Sequence, residues 1–494
     1  MELSKEQRLA FNKYIMGNNI FITGPGGSGK SALIKLIYQD ALVKHKNVQV
    51  CALTGCASVL LNCKAKTLHS WAGIGLGNSS IEDTIAKINC NKFSRKAWID
   101  TQLLIVDEVS MNSLKLFDLL NEVGKGVRNS KRHFGGIQII FSGDFFQLPP
   151  VGDRLDLNTQ RFCFESNDWN SVFTEQIQLK KIFRQTDDVF IKILNEIRIG
   201  ELNQTSVDIL QEYVGRRYDS KLITEPTKIY PTKSKVENIN IVKMAELPGV
   251  TKAYIMDFVN SYNATKKAET DKKVIKFTEK EIQFELDNIA NNLLCDKLLK
   301  LKVGAQVMCI VNVCNENKDI LLCNGSQGII TKFCELGYPY VKFNNGIERI
   351  MLKHSWPSEK IPNISVAQVP LILAWALTIH KSQGASLDAA EIDIGSDIFE
   401  CGQTYVALSR VKNLNGLYLT SFDTKKIKIN AKVKEFYDKL YENDEECDED
   451  EDEDEEEDED EEEEECDDDE CDDEEEECDD EIEIISSRVS NIIL

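Results

Sequence analysis

Through the first 150 residues, short apolar runs alternate with helical patterns, the order expected of a parallel α/β sheet. Residues 19–23 (Asn-Ile-Phe-Ile-Thr) predict a strand and 31–41 an amphipathic helix, and further strands are predicted at 48–53, 103–106 and 136–142. Each strand runs straight into a polar or glycine-bearing segment, where open α/β sheets carry their ligands. Residues 73–101 break the alternation with helical patterning, which predicts an inserted subdomain. A helical stretch from Leu179 leads to a second α/β series that opens at 227–232. Between about 303 and 352 short β patterns are punctuated by Asn324-Gly325 and Asn345-Gly346, signals of tight turns that predict a small inserted β-barrel. Helical and strand patterns resume at 372–383 and 416–421. The expected division is 1–178 for the first α/β domain and 179–440 for the second, with the barrel at about 303–368. Residues 441–494 are expected to be a disordered acidic tail, because dense like charge buries too little apolar surface to fold.

Length and charge sharpen this picture. At 494 residues the chain exceeds what one hydrophobic core usually serves. The net charge of -25 is uneven: 34 of the 83 acidic residues fall in 444–481, leaving 49 against 58 Lys+Arg, or +9, for the rest. A mildly basic body is compatible with a polyanion partner. Eleven of the fifteen cysteines are scattered through the body, many in apolar stretches, with no Cys-x-x-Cys pair and only five histidines in the chain. Reduced, buried thiols are expected rather than a disulfide scaffold or a zinc site. Cys447, Cys466, Cys471 and Cys478 in the tail are unevenly spaced for a metal site. No apolar run is long enough to span a membrane, and the first residues lack the apolar core of a secretory signal. The expected location is the nucleus or cytoplasm, of a host cell if the source is a large DNA virus.

The chemistry is concentrated at the predicted strand ends. Gly24-Pro25-Gly26-Gly27-Ser28-Gly29-Lys30-Ser31 matches the phosphate-binding pattern G-x-x-x-x-G-K-[ST], with an apolar strand before it and a helix after it. Its glycines let successive N–H groups point at phosphate oxygens, Lys30 suits the β- and γ-phosphates, and the Ser31 hydroxyl suits Mg²⁺. The expected ligands are therefore ATP and Mg²⁺. Asp107-Glu108 close the strand at 103–106: Asp107 suits a Mg²⁺ ligand and Glu108 the polarising of an attacking water. Gln147, in Gly143-Asp144-Phe145-Phe146-Gln147-Leu148-Pro149-Pro150, can donate and accept, so it suits sensing the γ-phosphate and the water together.

At this point the chain, over roughly residues 1–435, resembles the petite-integration-frequency (PIF-one) family of superfamily 1B DNA helicases. The most specific stretch is Phe162-Cys163-Phe164-Glu165-Ser166-Asn167-Asp168-Trp169, followed by Ile182-Phe183-Arg184-Gln185. Thr54-Gly55-Cys56-Ala57-Ser58 and Thr67-Leu68-His69-Ser70-Trp71 are similar to its first strand-contacting motif. Ala374 to Gly384 resembles motif five, and Gln403 to Arg410 resembles motif six. The resemblance implies two RecA-like P-loop NTPase domains with ATP between them and single-stranded DNA across their tops. It implies that Gln7 reads adenine, that Arg184 and Arg410 reach the γ-phosphate, and that travel runs 5′ to 3′. Thr54, His69, Trp71 and His380 lie in the segments it turns toward the strand, with Lys381 and Ser382 in reach of phosphates. Residues 73–101, with Lys87, Lys92, Arg95 and Lys96, suit a wedge that splits the duplex.

The expected partners are single-stranded and forked DNA, with no membrane, and the chain is expected to act as a monomer in replication, repair or recombination. An ATP-switched scaffold that recruits basic proteins through its acidic tail is the alternative. The tail is no part of the family pattern: a solubilising run is the usual meaning of such a charge block, and binding basic proteins or self-inhibition by competing with DNA are the sharper readings. Family members often carry long N-terminal extensions, whereas here the glutamine segment begins at Leu3, so contacts from such a region are not expected.

Overall fold

The computed structural model describes residues 3–442 except 55–56, 59–60, 62, 76, 78, 154, 219–222, 263–276, 315–319, 359–360, 362 and 396. Gly55 and Cys56 of the first strand-contacting segment lie outside the described residues, as does the acidic run with its four cysteines.

Six parallel strands build the first sheet: β1 (Ile20–Thr23), β2 (Val48–Ala52), β3 (Lys66–Thr67), β4 (Leu103–Asp107), β5 (Gln138–Ser142) and β6 (Glu175–Gln178). Their spatial order is β3-β2-β4-β5-β1-β6. Alternate side chains go to opposite faces. Phe21, Leu104, Val106, Ile139 and Phe141 enter one core; Ile20, Ile22, Leu103, Ile105 and Ile140 enter the other. A strand covered on both faces must be apolar at every position, which explains the continuous runs in the sequence. α1 (Lys5–Ile15) and α2 (Lys30–Val43) cover one face through Phe11, Tyr14, Leu33 and Ile37. The helix Leu114–Arg128 covers the other through Phe117, Leu120 and Val123. Because β5 lies between β4 and β1, the carboxyl ends of these three strands stand side by side.

The interruption at 73–101 contains two short helices, Ile81–Cys90 and Lys92–Asp100. Trp98 anchors the second on Trp71, with ring centroids 4.6 Å apart, and its indole N–H donates to Ala72 O at 2.9 Å.

The second sheet is also parallel, in the order Ala376–Thr378, Thr227–Tyr230, Ala390–Ile394, Leu417–Phe422. Beside it lie antiparallel sheets. The largest has five strands, Glu348–Ile350, Pro339–Phe343, Gln327–Phe333, Gln306–Cys309 and Leu371–Leu373. The antiparallel region also draws on Lys252–Ile255, Asp257–Asn260 and Leu298–Leu301, upstream of the expected 303. Lys252–Ile255 pairs with Leu298–Leu301, about forty residues away, so no hairpin turn in the sequence advertises the pairing.

The chain then returns to the first sheet. Residues 431–442 form a helix whose Val433, Tyr437 and Leu440 share a core with Phe117 and Trp169. The sequence division groups 431–440 with the second unit and gives 441–442, here the helix's last residues, to the tail. The spacing of its apolar residues shows a helix face, but not which sheet that face covers.

Candidate active site

The phosphate-binding loop joins β1 to α2. Gly27 and Gly29 have φ of +94° and +85°, and a Cβ on either would meet a neighbour, Arg184 Cβ at 2.7 Å or Gln7 Nε2 at 2.6 Å. Glycine is therefore required twice over, by conformation and by space. Lys30 Nζ donates to Gly24 O at 2.6 Å and Pro25 O at 2.9 Å. Burial pushes the Lys30 pKa down, and the nearby carboxylates of Asp144, Glu108 and Asp107 oppose that shift. Gln7 sits behind the loop, 2% exposed. It forms a capping box with Ser4, and its Nε2 faces Ser28 O at 3.5 Å.

Asp107, the last residue of β4, accepts from Ser31 Oγ at 3.2 Å and from Ser142 Oγ at 2.9 Å. A hydroxyl and a carboxylate so close are hard oxygen donors suited to Mg²⁺, which normally completes its shell with phosphate and water. Glu108 takes a left-handed backbone, φ 58° and ψ 41°, which is uncommon for a non-glycine residue and is often found at functional sites. Burial and the charge of Asp107 push its pKa up to about 7. Gln147 follows β5, 6% exposed. Gln383, which the sequence did not single out, donates through Nε2 to Glu108 Oε2 at 2.8 Å and to Gln147 Oε1 at 3.4 Å.

Two arginines approach the loop: Arg184, in the connection between β6 and the helix Asp188–Ile199, and Arg410, just after the helix Gln403–Leu408. Arg410 is 2% exposed and donates to Val406 O and Ser409 Oγ. Arg184 Nη1 donates to Ser409 O at 3.2 Å. Burial and the neighbouring Arg184 charge push the Arg410 pKa down to about 9. Neither arginine forms an ion pair with a carboxylate among the described residues. A buried guanidinium beside a half-buried one, both held by neutral oxygens, makes a pocket for an anion. The Tyr405 hydroxyl also enters the site and accepts from Gly26 N–H at 2.7 Å, using an amide of the phosphate loop. The exposed ring of Phe183 lies beside Gly29. Neither was singled out, because an aromatic residue in a motif reads first as core. The loop, Asp107, Glu108, Gln147, Arg184, Gln383 and Arg410 all line one cleft of about 730 Å³.

A second cluster stands behind the cleft. Asp144, fully buried, receives two bonds from Arg198, at 3.0 and 2.9 Å. The Arg198 guanidinium lies over the rings of Phe146 and Tyr437, which stack with centroids 4.7 Å apart. Tyr437, on the helix 431–442, bonds through its hydroxyl to Thr23 Oγ1 at 2.5 Å and accepts from Phe145 N–H at 3.1 Å. The aromatics of the Phe162–Trp169 stretch hold the same helix, Phe164 stacking on Phe436 at 4.4 Å.

The residues expected to face a strand divide. Thr54 follows β2 and His69 follows β3, both partly accessible; His380 is exposed and Lys381 half-buried after the strand Ala376–Thr378. All four stand at carboxyl ends of parallel strands. Trp71 does not join them. It is 3% exposed, packed on Trp98, and its indole N–H donates to Thr101 Oγ1, so it is a core residue holding the helical insert. Ser382 is fully buried and its hydroxyl donates to Ile379 O, which closes the turn 379–382 and leaves no hydroxyl proton to donate to a phosphate. Among the described residues, no helix is long and apolar enough to cross a membrane.

A family model described as PIF1-like helicase matches residues 2–208, and one described as DNA helicase Pif1, 2B domain, matches 285–333. The chain is 35% identical to the ATP-dependent DNA helicase PIF1 of Emericella nidulans, covering 86% of this chain and 61% of that one. It is 32% identical to the ATP-dependent DNA helicase RRM3 of Saccharomyces cerevisiae, covering 89% and 68%. The chain thus spans roughly two-thirds of the length of these curated relatives. Among solved structures it is similar to the Pif1 helicase of Candida albicans, at 34% identity and TM-score 0.68 over 89% of this chain and all of that one. It is also similar to Bacteroides Pif1 in complex with ADP-AlF3 and single-stranded DNA, at 31% identity and TM-score 0.59, covering 90% and 98%. The parallel sheets are of the kind RecA-like domains carry, and the antiparallel region overlaps the 2B match.

Proposed function

Because the chain belongs to the PIF1-like helicase family, we propose that it is an ATP-dependent DNA helicase that moves 5′ to 3′ along single-stranded DNA and unwinds forked duplexes. The observation that carries this reading is the single cleft in which the phosphate loop and Glu108 of the first sheet meet Arg184 and, from beside the second sheet, Gln383 and Arg410. Such a cleft makes hydrolysis depend on how the two units stand to each other, which is what a motor requires.

ATP would place its phosphates on the loop amides, with Lys30 released from Gly24 O and Pro25 O to meet them and Gln7 at the adenine end. Ser31 and Asp107 would hold Mg²⁺, which would supply neutralisation of phosphate charge. Glu108 takes the proton of the attacking water, Gln147 orients that water, and Arg184 and Arg410 stabilise the charge that builds on the γ-oxygens. Thr54, His69, His380 and Lys381 contact the strand on the two parallel sheets, which act as two RecA-like domains. The helical insert at 73–101 serves as the wedge. In the Bacteroides relative a nucleotide mimic and single-stranded DNA are bound together, which supports this arrangement.

Unwinding of duplexes with a 5′ or a 3′ single-stranded overhang tests it. Wild type opens the 5′-tailed substrate, and Glu108→Gln lowers ATP turnover by about a hundredfold or more while retaining nucleotide binding. No opening of the 5′-tailed substrate, or an unaffected variant, would defeat the proposal.

A further inference from the structure

Gln383 stands where the strand-facing turn of the second unit meets the hydrolysis residues of the first. The Thr378 hydroxyl caps that turn by accepting from Lys381 N–H at 3.1 Å, and Ser382 closes it onto Ile379 O at 2.9 Å. The turn therefore moves as one small body, and His380 and Lys381 are its accessible side chains. The next residue, Gln383, is tied back by its own N–H to His380 O at 3.3 Å. Its side chain crosses the cleft to Glu108 Oε2 at 2.8 Å and Gln147 Oε1 at 3.4 Å. Among the described residues no other side chain donates to either of these two. Gly384 follows at φ +80°, a conformation that favours glycine.

The contact has a chemical consequence. A water attacking phosphorus must pass its proton to a lone pair of Glu108 and be held by the Gln147 amide. While the Gln383 N–H lies on both acceptors, each has less to offer that water. We propose that Gln383 is a coupling latch: without a strand it holds Glu108 and Gln147 out of use, and a strand seated on His380 and Lys381 draws the turn away and frees them. Gln383 is in this sense a positioning residue that acts through Glu108 and Gln147. The proposal rests on the reading of the chain as a strand-driven ATPase.

The test measures ATP turnover of the full chain at saturating ATP, with and without oligothymidylate, for wild type, Gln383→Ala and Gln383→Met. Methionine keeps the length and bulk of the side chain but has no N–H to donate, so it guards against a collapse of the alanine variant. Both variants should raise strand-free turnover about fivefold, as loss of one ordinary net hydrogen bond can, and should leave strand-saturated turnover within about twofold. The stimulation ratio then falls. A residue that merely supports the fold would lower both rates together, and that result, or an unchanged strand-free rate in both variants, overturns the latch. If wild type itself is not stimulated by strands, the helicase reading fails with it; if wild type is stimulated and the variants' strand-free rate does not rise, only the latch fails.

Discussion

Trp71 and Arg410 show how burial assigns a residue its work. Both are nearly enclosed, but Trp71 finds an aromatic partner and a hydroxyl, whereas Arg410 finds another guanidinium and neutral oxygens. An enclosed ring with all its contacts made is a packing residue. An enclosed cation without a carboxylate partner suits an anionic ligand. Trp71→Ala should therefore act on stability: loss of the ring removes its packing on Trp98 and costs about 3–5 kcal/mol. Urea denaturation checks this, and strand affinity of the folded fraction should stay close to wild type. An unchanged denaturation midpoint with weakened strand binding would return Trp71 to the strand-facing group. From the sequence alone an aromatic residue beside His69 reads equally well as a stacking platform or as core.

Among the elements, the helix 431–442 stands out, because it follows the second sheet in sequence yet packs on the first. Its Tyr437 reaches Thr23, the residue before the phosphate loop, and joins Phe146 in covering the Arg198–Asp144 pair. Arg198 and Asp144 are both within 5% of full burial, so this is a charge pair removed from water. Breaking such a pair is costly because the remaining charge has no solvent: Arg198→Ala should destabilise the protein by about 3–5 kcal/mol. Replacing both, Arg198→Met with Asp144→Leu, should recover much of that loss. Thermal or urea unfolding of the single and double variants measures the difference, and additive losses would refute a paired role. The Phe162–Trp169 stretch, which carried the family resemblance, is the platform on which this helix packs.

At the level of the whole molecule, charge is divided between a body of +9 and 34 acids in residues 444–481. The helix 431–442 packs on the first sheet, and the acidic run follows it in sequence. A tether raises effective concentration, so a run of opposite charge is a candidate competitor for the surfaces a strand would use. Removing residues after Asn443 should tighten single-strand binding at low salt, with the gain fading as ionic strength shortens the screening length to about 8 Å near 0.15 M. Strand titrations across a salt series check this; equal affinity at low salt would rule out competition by the tail.

The sequence by itself determined the parts that rest on neighbours along the chain. An apolar strand, a glycine loop, a lysine and a helix in succession make a phosphate cradle wherever they occur. An acidic pair at the end of an apolar run likewise lies at a sheet's carboxyl edge. Hence the loop, Asp107–Glu108 and the segment of Gln147 were legible, while Arg184 and Arg410 could be singled out only through resemblance. The tertiary structure alone decided what depends on partners hundreds of residues apart. Gln383 on Glu108, separated by 275 positions, and Tyr437 on Thr23, separated by 414, leave no trace in local pattern. The same holds for the burial of Trp71 and Ser382 and for the pairing of Lys252–Ile255 with Leu298–Leu301. Periodicity tells a side chain to be covered, and only the folded chain decides by what.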